Sequence, residues 1–463
     1  MTKQLSIAQW LGPLLAALAF YFLPLTGLEE GARRIGCIFI IAACYWVLEV
    51  VPIYATSLLI MLLEILFISD KTMPFLQITN TAGKFYITQN EVFASFASTT
   101  IILFLGGLFL AQAATKYKLD QNLARVIFQA FGTNSATALF SLMIVTAVFS
   151  MFMSNTATTA MMLAIVVPIA AGLSREDPLG KALILSVPIA SNIGGIGTPI
   201  GTPPNAVALA ALEKAGYFIS FGKWMVLGVP YVLILLGVAY ALLRVLFKSD
   251  TRKLSIAMEG AFLKSREAKL VYAVFGGTII LWLTEPFHAL PSALVAFLPV
   301  VIFSLFGIVG KKELRLISWD ILWLIAGGMA LGEGMEKTGL NTWVVGCISF
   351  ETLPPVGILA LLAIAALALS TFISNTATAN LLVPIALSLS ALHPASVLLL
   401  PVVLAFACSI AMALPISTPP NALAYGTGFI DSRDLLKTGL VISVIGFLLL
   451  LGFSKAWQWA GLL

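Results

Sequence analysis

Apolar runs of about 20 residues recur from one end of the chain to the other, with short polar gaps between them. A helix of that length rises about 30 Å and crosses a bilayer. The pattern predicts spans over 10–28, 35–51, 53–69, 92–115, 223–247, 271–285, 292–308, 322–331 and 435–459. An amphipathic piece fills 119–131, with Asp120 and Arg125 on its polar side. Two more spans, 181–212 and 395–430, are broken in the middle by Gly and Pro, which unwind a helix. Two long apolar stretches, 134–173 and 354–392, carry polar residues at their centres. Their arms are each long enough to cross, but polar backbone at membrane depth is tolerated only against protein. Each therefore reads as a re-entrant hairpin. The fold class is an all-α polytopic membrane protein with eleven transmembrane helices and two re-entrant hairpins.

The polar interruptions are the same twice. Ser154-Asn155-Thr156-Ala157-Thr158 returns as Ser374-Asn375-Thr376-Ala377-Thr378, 220 residues later. The breaks that follow are Gly201-Thr202-Pro203-Pro204-Asn205-Ala206 and Ser417-Thr418-Pro419-Pro420-Asn421-Ala422, 216 apart. Gly106-Gly107 corresponds to Gly327-Gly328 at 221, and Trp46 and Glu49 to Trp282 and Glu285 at 236. The chain is thus an internal repeat. An odd number of spans separates its halves, so the repeat is inverted and the two tips are expected to meet near the midplane, where secondary transporters bind.

Charge orients this plan. Most of the 26 Lys and Arg residues fall in alternate gaps, among them Lys116, Lys118, Arg175, Lys181, Lys248, Lys264, Lys311, Lys312 and Arg433. The positive-inside bias then puts the N-terminus in the cytoplasm and the C-terminus outside. The net charge of +5 is spread over these loops and points to no nucleic acid. Only 10% of residues are charged, against roughly 25% in soluble proteins, so no large soluble domain is expected. The first apolar run has no small-residue cleavage site and reads as a retained span. The four cysteines lie in or beside apolar runs and the histidines number two, which excludes a disulfide framework and a His-rich zinc site. No His/Asp/Glu/Cys constellation supports enzymatic chemistry.

Ser-Asn-Thr offers hydroxyls and an amide, which donate and accept without charge. A helix begins after each tip, so free N–H groups and the positive dipole end point at it. Two such tips suit an anion with two negative groups. The oxygens at the same places suit a hard cation. No Arg, Lys, Asp or Glu lies in either motif, so a bound dianion lacks a fixed counter-charge, and co-bound cations are the natural neutraliser. Glu49 and Glu285, at span ends, read as capping or pairing groups. Glu64, inside the third span, reads as paired with a neighbouring helix or protomer. Trp457 and Trp459 read as an interface anchor, and 248–269 as a solvated connector facing lipid headgroups.

These paired motifs resemble the divalent anion/sodium symporter family, and the resemblance covers essentially the whole chain. It implies a homodimer in which each protomer has a scaffold domain and a transport domain that moves as an elevator. The corresponding units are scaffold over 1–91 and 223–318, transport over 92–222 and 319–434, and a last helix over 435–463. The resemblance implies one sodium site at Ser150, Ser154, Asn155 and Gly201. It implies a second at Ser370, Ser374, Asn375 and Ser417. It places substrate against Asn155, Thr156, Thr202, Asn375, Thr376, Thr418 and Pro419. The function implied is sodium-coupled import of C4-dicarboxylates (succinate, malate, fumarate) across the inner (plasma) membrane. Sodium-independent exchange of carboxylates stays open as the alternative, and an uncoupled ion channel is the rival from another class.

Overall fold

A computed structural model describes residues 7–80, 83–131, 134–174, 177–252, 261–347, 354–390 and 397–463. Lys3, Arg175, Lys253, His393 and the ends of the predicted segments at 391–392 and 395–396 lie outside the described residues.

The first half opens with three apolar helices, α1 (Ile7–Phe22), α2 (Glu30–Leu48) and α3 (Ile53–Phe67). A short α4 (Gln89–Ala94) leads into α5 (Thr99–Lys116) and α6 (Leu119–Phe131). The hairpin α7 (Ser135–Phe152) and α8 (Asn155–Ala171) follows, then the broken pair α9 (Pro178–Gly195) and α10 (Pro203–Lys214), and the long α11 (Phe221–Leu246). The second half has α12 (Arg266–Leu283), a one-turn α13 (Glu285–His288), α14 (Ser292–Leu305), a one-turn α15 (Lys311–Leu314), α16 (Trp319–Lys337) and α17 (Leu340–Cys347). Its hairpin is α18 (Pro355–Phe372) with α19 (Asn375–Ser390). The broken pair α20 (Leu399–Ser409) and α21 (Pro419–Gly426) precedes the last helix, α22 (Ser432–Trp459). Among the described residues there is no strand, only an isolated bridge between Ser69 and Ile87. Six helical segments are long and apolar enough to cross a membrane by length and composition, and five shorter apolar helices accompany them.

Capping residues set many boundaries. Ser98, Asn134, Ser154, Asp177, Ser220 and Ser265 each accept a backbone N–H from the first turn they precede. The apolar run at 92–115 is divided because Thr88 and Glu91 form a capping box for α4 and Ser98 starts a new helix at α5. The predicted span at 322–331 is longer in the structure, since Asp320, Glu333 and Lys337 sit on α16 without ending it.

Two pairs of helices make close glycine contacts. A Cβ on Gly106 of α5 would lie 2.2 Å from the Ala296 carbonyl oxygen on α14. One on Gly327 of α16 would lie 2.3 Å from the Ser57 Cβ on α3. α5 packs chiefly along α14, and α16 along α3. The turns after α2 and α12 are tied alike: the Trp46 indole donates to Ile53 O at 3.1 Å and the Trp282 indole to Ser292 O at 3.0 Å. Glu285 accepts from the Ser292 hydroxyl at 2.6 Å, a pairing within the turn, while Glu49 ends α2 in the left-handed region, exposed. His288 is packed in the same turn, against Leu281 O at 2.8 Å. The described cysteines are all free.

Three expectations change. Trp457 is buried against the rings of Phe406 and Phe453, so only Trp459 stands at the surface, 92% exposed. Asp120 is buried rather than solvated, accepting from Thr115 Oγ1 at 3.2 Å and from the Gln121 N–H at 2.8 Å. Glu64 makes no ion pair with a neighbouring helix among the described residues.

Candidate substrate and cation site

Each motif sits where two helices fail to join. Met153 and Ile373 are extended, with φ −129°, ψ 162° and φ −122°, ψ 163°, and the chain restarts as α8 and α19. Ser154 Oγ accepts the Ala157 N–H at 3.1 Å, and Ser374 Oγ the Ala377 N–H at 3.4 Å. Both hydroxyls are therefore partly used in capping. The N–H groups of Asn155, Thr156, Asn375 and Thr376 open the helices and have no intrahelical acceptor.

The broken helices share their backbone geometry and a buried asparagine, and differ in that Thr418 Oγ1 accepts the Asn421 N–H while Thr202 makes no such cap. Thr202 and Thr418 precede α10 and α21 with φ −146°, ψ 143° and φ −143°, ψ 147°. Pro follows each at the first helical position, where a missing N–H costs nothing. The Asn205 amide donates to Gly195 O at 3.0 Å and Thr198 O at 2.7 Å. The Asn421 amide donates to Met412 O and Leu414 O, both at 2.9 Å. One buried amide thus satisfies the unwound carbonyls in each repeat. The hairpin tips are then tied to the breaks, Thr198 Oγ1 donating to Met151 O and Ser417 Oγ to Thr371 O at 2.7 Å.

At the first tip, oxygens crowd together. Ser150 Oγ lies 2.6 Å from Asn155 Oδ1, 2.8 Å from Ser191 O and 3.1 Å from Ser191 Oγ. Ser191 Oγ in turn donates to Asn155 O at 2.9 Å. One hydroxyl proton on Ser150 cannot serve both acceptors, so lone pairs exceed donors. Gly195 and Gly201 close the cluster: a Cβ on Gly195 would fall 2.6 Å from Asn155 Oδ1 and 3.0 Å from Gly201 O. An excess of neutral oxygens in a tight space is a fitting environment for a small hard cation.

The second tip has the same residue types with orphaned groups. Ser370 Oγ and Asn375 Oδ1 are buried and have no hydrogen-bond partner among the described residues. Buried polar groups without partners are rare in native proteins, and each of these oxygens is free to meet a ligand. Ser417 is held by Leu414 N–H and by Thr371 O. No group of three or more His, Cys, Asp or Glu is placed to hold a metal among the described residues, so any cation here would rest on hydroxyl, amide and carbonyl oxygens.

The two repeats are joined through Asn192 on α9. Its buried amide donates to Thr418 Oγ1 at 3.1 Å and lies 3.3 Å from Asn421 Oδ1. α8 and α9 pack on α21, and α19 and α20 on α10, so each repeat contributes to the other's half of the site. Thr156, Ala157, Pro419 and Ala422 are exposed, while Thr202, Thr376 and Thr418 are buried. The predicted residues are thus brought to two tips and two breaks, with the surface open on the side of Thr156 and Pro419. Ser191, Asn192 and Gly195 were missed by sequence reasoning. Their signal was a polar Ser-Asn-x-Gly-Gly ending the apolar run of α9, which looked like the start of the break.

A match to the citrate transporter family model spans residues 43–400, with a second over 279–461. A sodium-dependent dicarboxylate transporter, SdcS, of Staphylococcus saprophyticus is 31% identical over 477 residues, covering 95% of this chain and 89% of that one. The chain belongs to the divalent anion/sodium symporter family. This symporter-family member is a multi-pass membrane transport protein. A second relative, SdcS of Staphylococcus aureus, is 30% identical over 484 residues with the same coverage. Two solved structures share the fold. The Alcanivorax borkumensis YdaH transporter aligns with TM-score 0.57 at 11% identity, over 93% of this chain and 98% of its own. Neisseria gonorrhoeae MtrF, from a class of antimetabolite efflux pumps, aligns with TM-score 0.54 at 11% identity, over 90% and 97%.

Proposed function

We propose that this symporter-family member imports C4-dicarboxylates such as succinate, malate and fumarate, coupled to sodium ions, across the plasma membrane. The observation that carries the reading is the pair of hairpin tips built from neutral oxygens and helix N-termini with no fixed charge. A dicarboxylate would meet Asn155, Thr156, Thr202, Asn375, Thr376, Thr418 and Pro419, with N–H groups and helix dipoles directed at its carboxylates. Sodium would bind at Ser150, Ser154, Asn155 and Gly201, and again at Ser370, Ser374, Asn375 and Ser417. Those ions supply the positive charge that the protein omits. The names of the staphylococcal relatives support both dicarboxylate and sodium dependence.

Order of binding follows from these contacts. Asn155 and Asn375 stand in both ligand sets, so an ion that fixes their side chains also arranges the anion site. Sodium therefore binds first. Two sodium ions per dianion would be electroneutral. A third would move one net charge, worth about 2.3 kcal/mol per 100 mV of membrane potential.

Alternating access then proceeds by an elevator in a homodimer, with the frame over 1–91 and 223–318 and the moving unit within 92–222 and 319–434. Within that unit, the glycine contacts of α5 with α14 and of α16 with α3 favour keeping these two helices with the frame. The hairpins, α9–α10 and α20–α21 are left as the part that moves.

The test is uptake of labelled succinate by reconstituted Asn155→Ala and Asn375→Ala variants. Each is expected to fall at least tenfold while the protein stays folded. Unchanged uptake in both would remove the site assignment.

A further inference from the structure

Glu64 lies in the apolar helix α3 and is 0% exposed. Neither carboxyl oxygen has a hydrogen-bond partner among the described residues. It faces α16 where that helix carries Gly334. A Cβ on Gly334 would come 2.6 Å from Glu64 Oε1 and 2.8 Å from Ile35 Cδ1. The glycine therefore leaves a slot that the carboxyl group fills.

The charges around that slot are already matched. Lys214 Nζ, at the end of α10, is 2.6 Å from Glu333 on α16 and also donates to Met329 O at 2.9 Å. Lys337 is 3.1 Å from Glu333 and 2.6 Å from Glu91. Two bases thus hold two acids. α2 presents Ile35 at this place, and α4, which also packs on α3, carries Glu91, already held by Lys337. An ionised Glu64 would add a third negative charge in a dry seam with no donor to receive it. Such a charge is strongly disfavoured, and a buried carboxyl in that position is carried as the neutral acid. The internal repeat points the same way. Ala296, 239 positions after Ser57, makes the matching glycine contact, and Phe303, 239 after Glu64, is fully buried at the matching place on α14.

We propose that Glu64 is a proton-binding site. A cavity of about 430 Å³ shares Lys214 and Glu333 with this charge cluster, and Glu64 is not among the residues that line it. When the O–H bond of the acid breaks, the proton passes to water and a carboxylate remains. That carboxylate would stand against α16 at Gly334 with no donor, so the bound proton is what lets α3 and α16 close on each other there. The proton site depends only on the packing of α2, α3 and α16, and stands whether or not the substrate assignment holds.

Infrared spectroscopy of the purified full-length protein in lipid nanodiscs at pH 7.5 tests it without any transport assay. The wild type is expected to show the carbonyl stretch of a protonated carboxylic acid that is missing from both Glu64→Gln and Glu64→Met. A Glu91→Gln variant is expected to keep it. Both Glu64 variants are expected to remain folded, because each puts a neutral group where a neutral group stood. No such band in the wild type, or a band that persists in a folded Glu64 variant, would overturn the proposal. So would loss of folding in both Glu64 variants, since that would mean the charge was needed.

Discussion

Single side chains decide whether the breaks in the two helices hold their shape. Asn205 serves the unwound carbonyls between α9 and α10. Asn205→Ala leaves them buried without donors, at about 1–3 kcal/mol each, so a clear fall in the unfolding temperature is expected. Asn205→Asp, which can accept but not donate, is expected to do no better. Loss of uptake with unchanged stability would mean instead that the amide contacts substrate. Outside the membrane, Glu313 shows what a charge pair does here. The hydrogen bond from Lys116, at 2.9 Å, and then the Gly310 N–H lower its pKa from the ordinary 4.5 to about 2. The folded state therefore favours the carboxylate. That contribution is present above about pH 4.5 and is lost as pH falls from there toward 2. Glu313→Gln is expected to melt earlier than the wild type at pH 7, with the gap closing across that range. A gap that stays constant with pH would rule out the charge as its source. At this scale the sequence told only part of the story. The Ser-Asn-Thr and Thr-Pro-Pro residues were visible because polar residues in apolar runs stand out. Ser191, Asn192 and Gly195 depend on which helices come together, which spacing along one chain does not encode.

Elements were more legible, because hydrophobic run length and helix caps are local properties. The hairpins were readable from a polar centre between two apolar arms, and the broken helices from Gly and Pro. The division of 92–115 into α4 and α5 was hidden. It comes from two capping residues, Thr88 and Ser98, within a sequence that stays apolar. The burial of Trp457 was hidden as well, since an aromatic pair near a helix end looks the same whether it faces lipid or protein. Packing between elements yields a sharper test. Gly327→Ala would put a methyl carbon 2.3 Å from Ser57 Cβ and 2.6 Å from its Cα. The backbones of α3 and α16 would have to part, at about 1–3 kcal/mol. Gly106→Ala is expected to do the same between α5 and α14, where the obstacle is the Ala296 carbonyl. Gly276 and Gly277 have open space at the Cβ position, and alanine there is expected to leave the unfolding temperature unchanged. Equal effects at all four positions would mean that helix propensity, not close packing, sets the cost.

For the whole molecule, the repeated motifs are visible in the sequence, and the fold supplied the crossing between them through Asn192, α10 and α21. Orientation can be read directly with single cysteines on a background lacking the natural ones. Lys264→Cys is expected to react with an impermeant thiol reagent only after the membrane is opened, and Phe287→Cys in intact cells. The reverse pattern would invert the topology. The central claim is that two uncharged tips use sodium to hold a dianion. Labelled succinate uptake into proteoliposomes tests it most directly, with sodium or potassium outside and with or without succinate inside. The account predicts uptake that needs the sodium gradient and no internal substrate. Uptake that ignores sodium and requires internal carboxylate would contradict it, and the oxygens at Ser150, Asn155, Ser370 and Asn375 would then belong to the anion site alone.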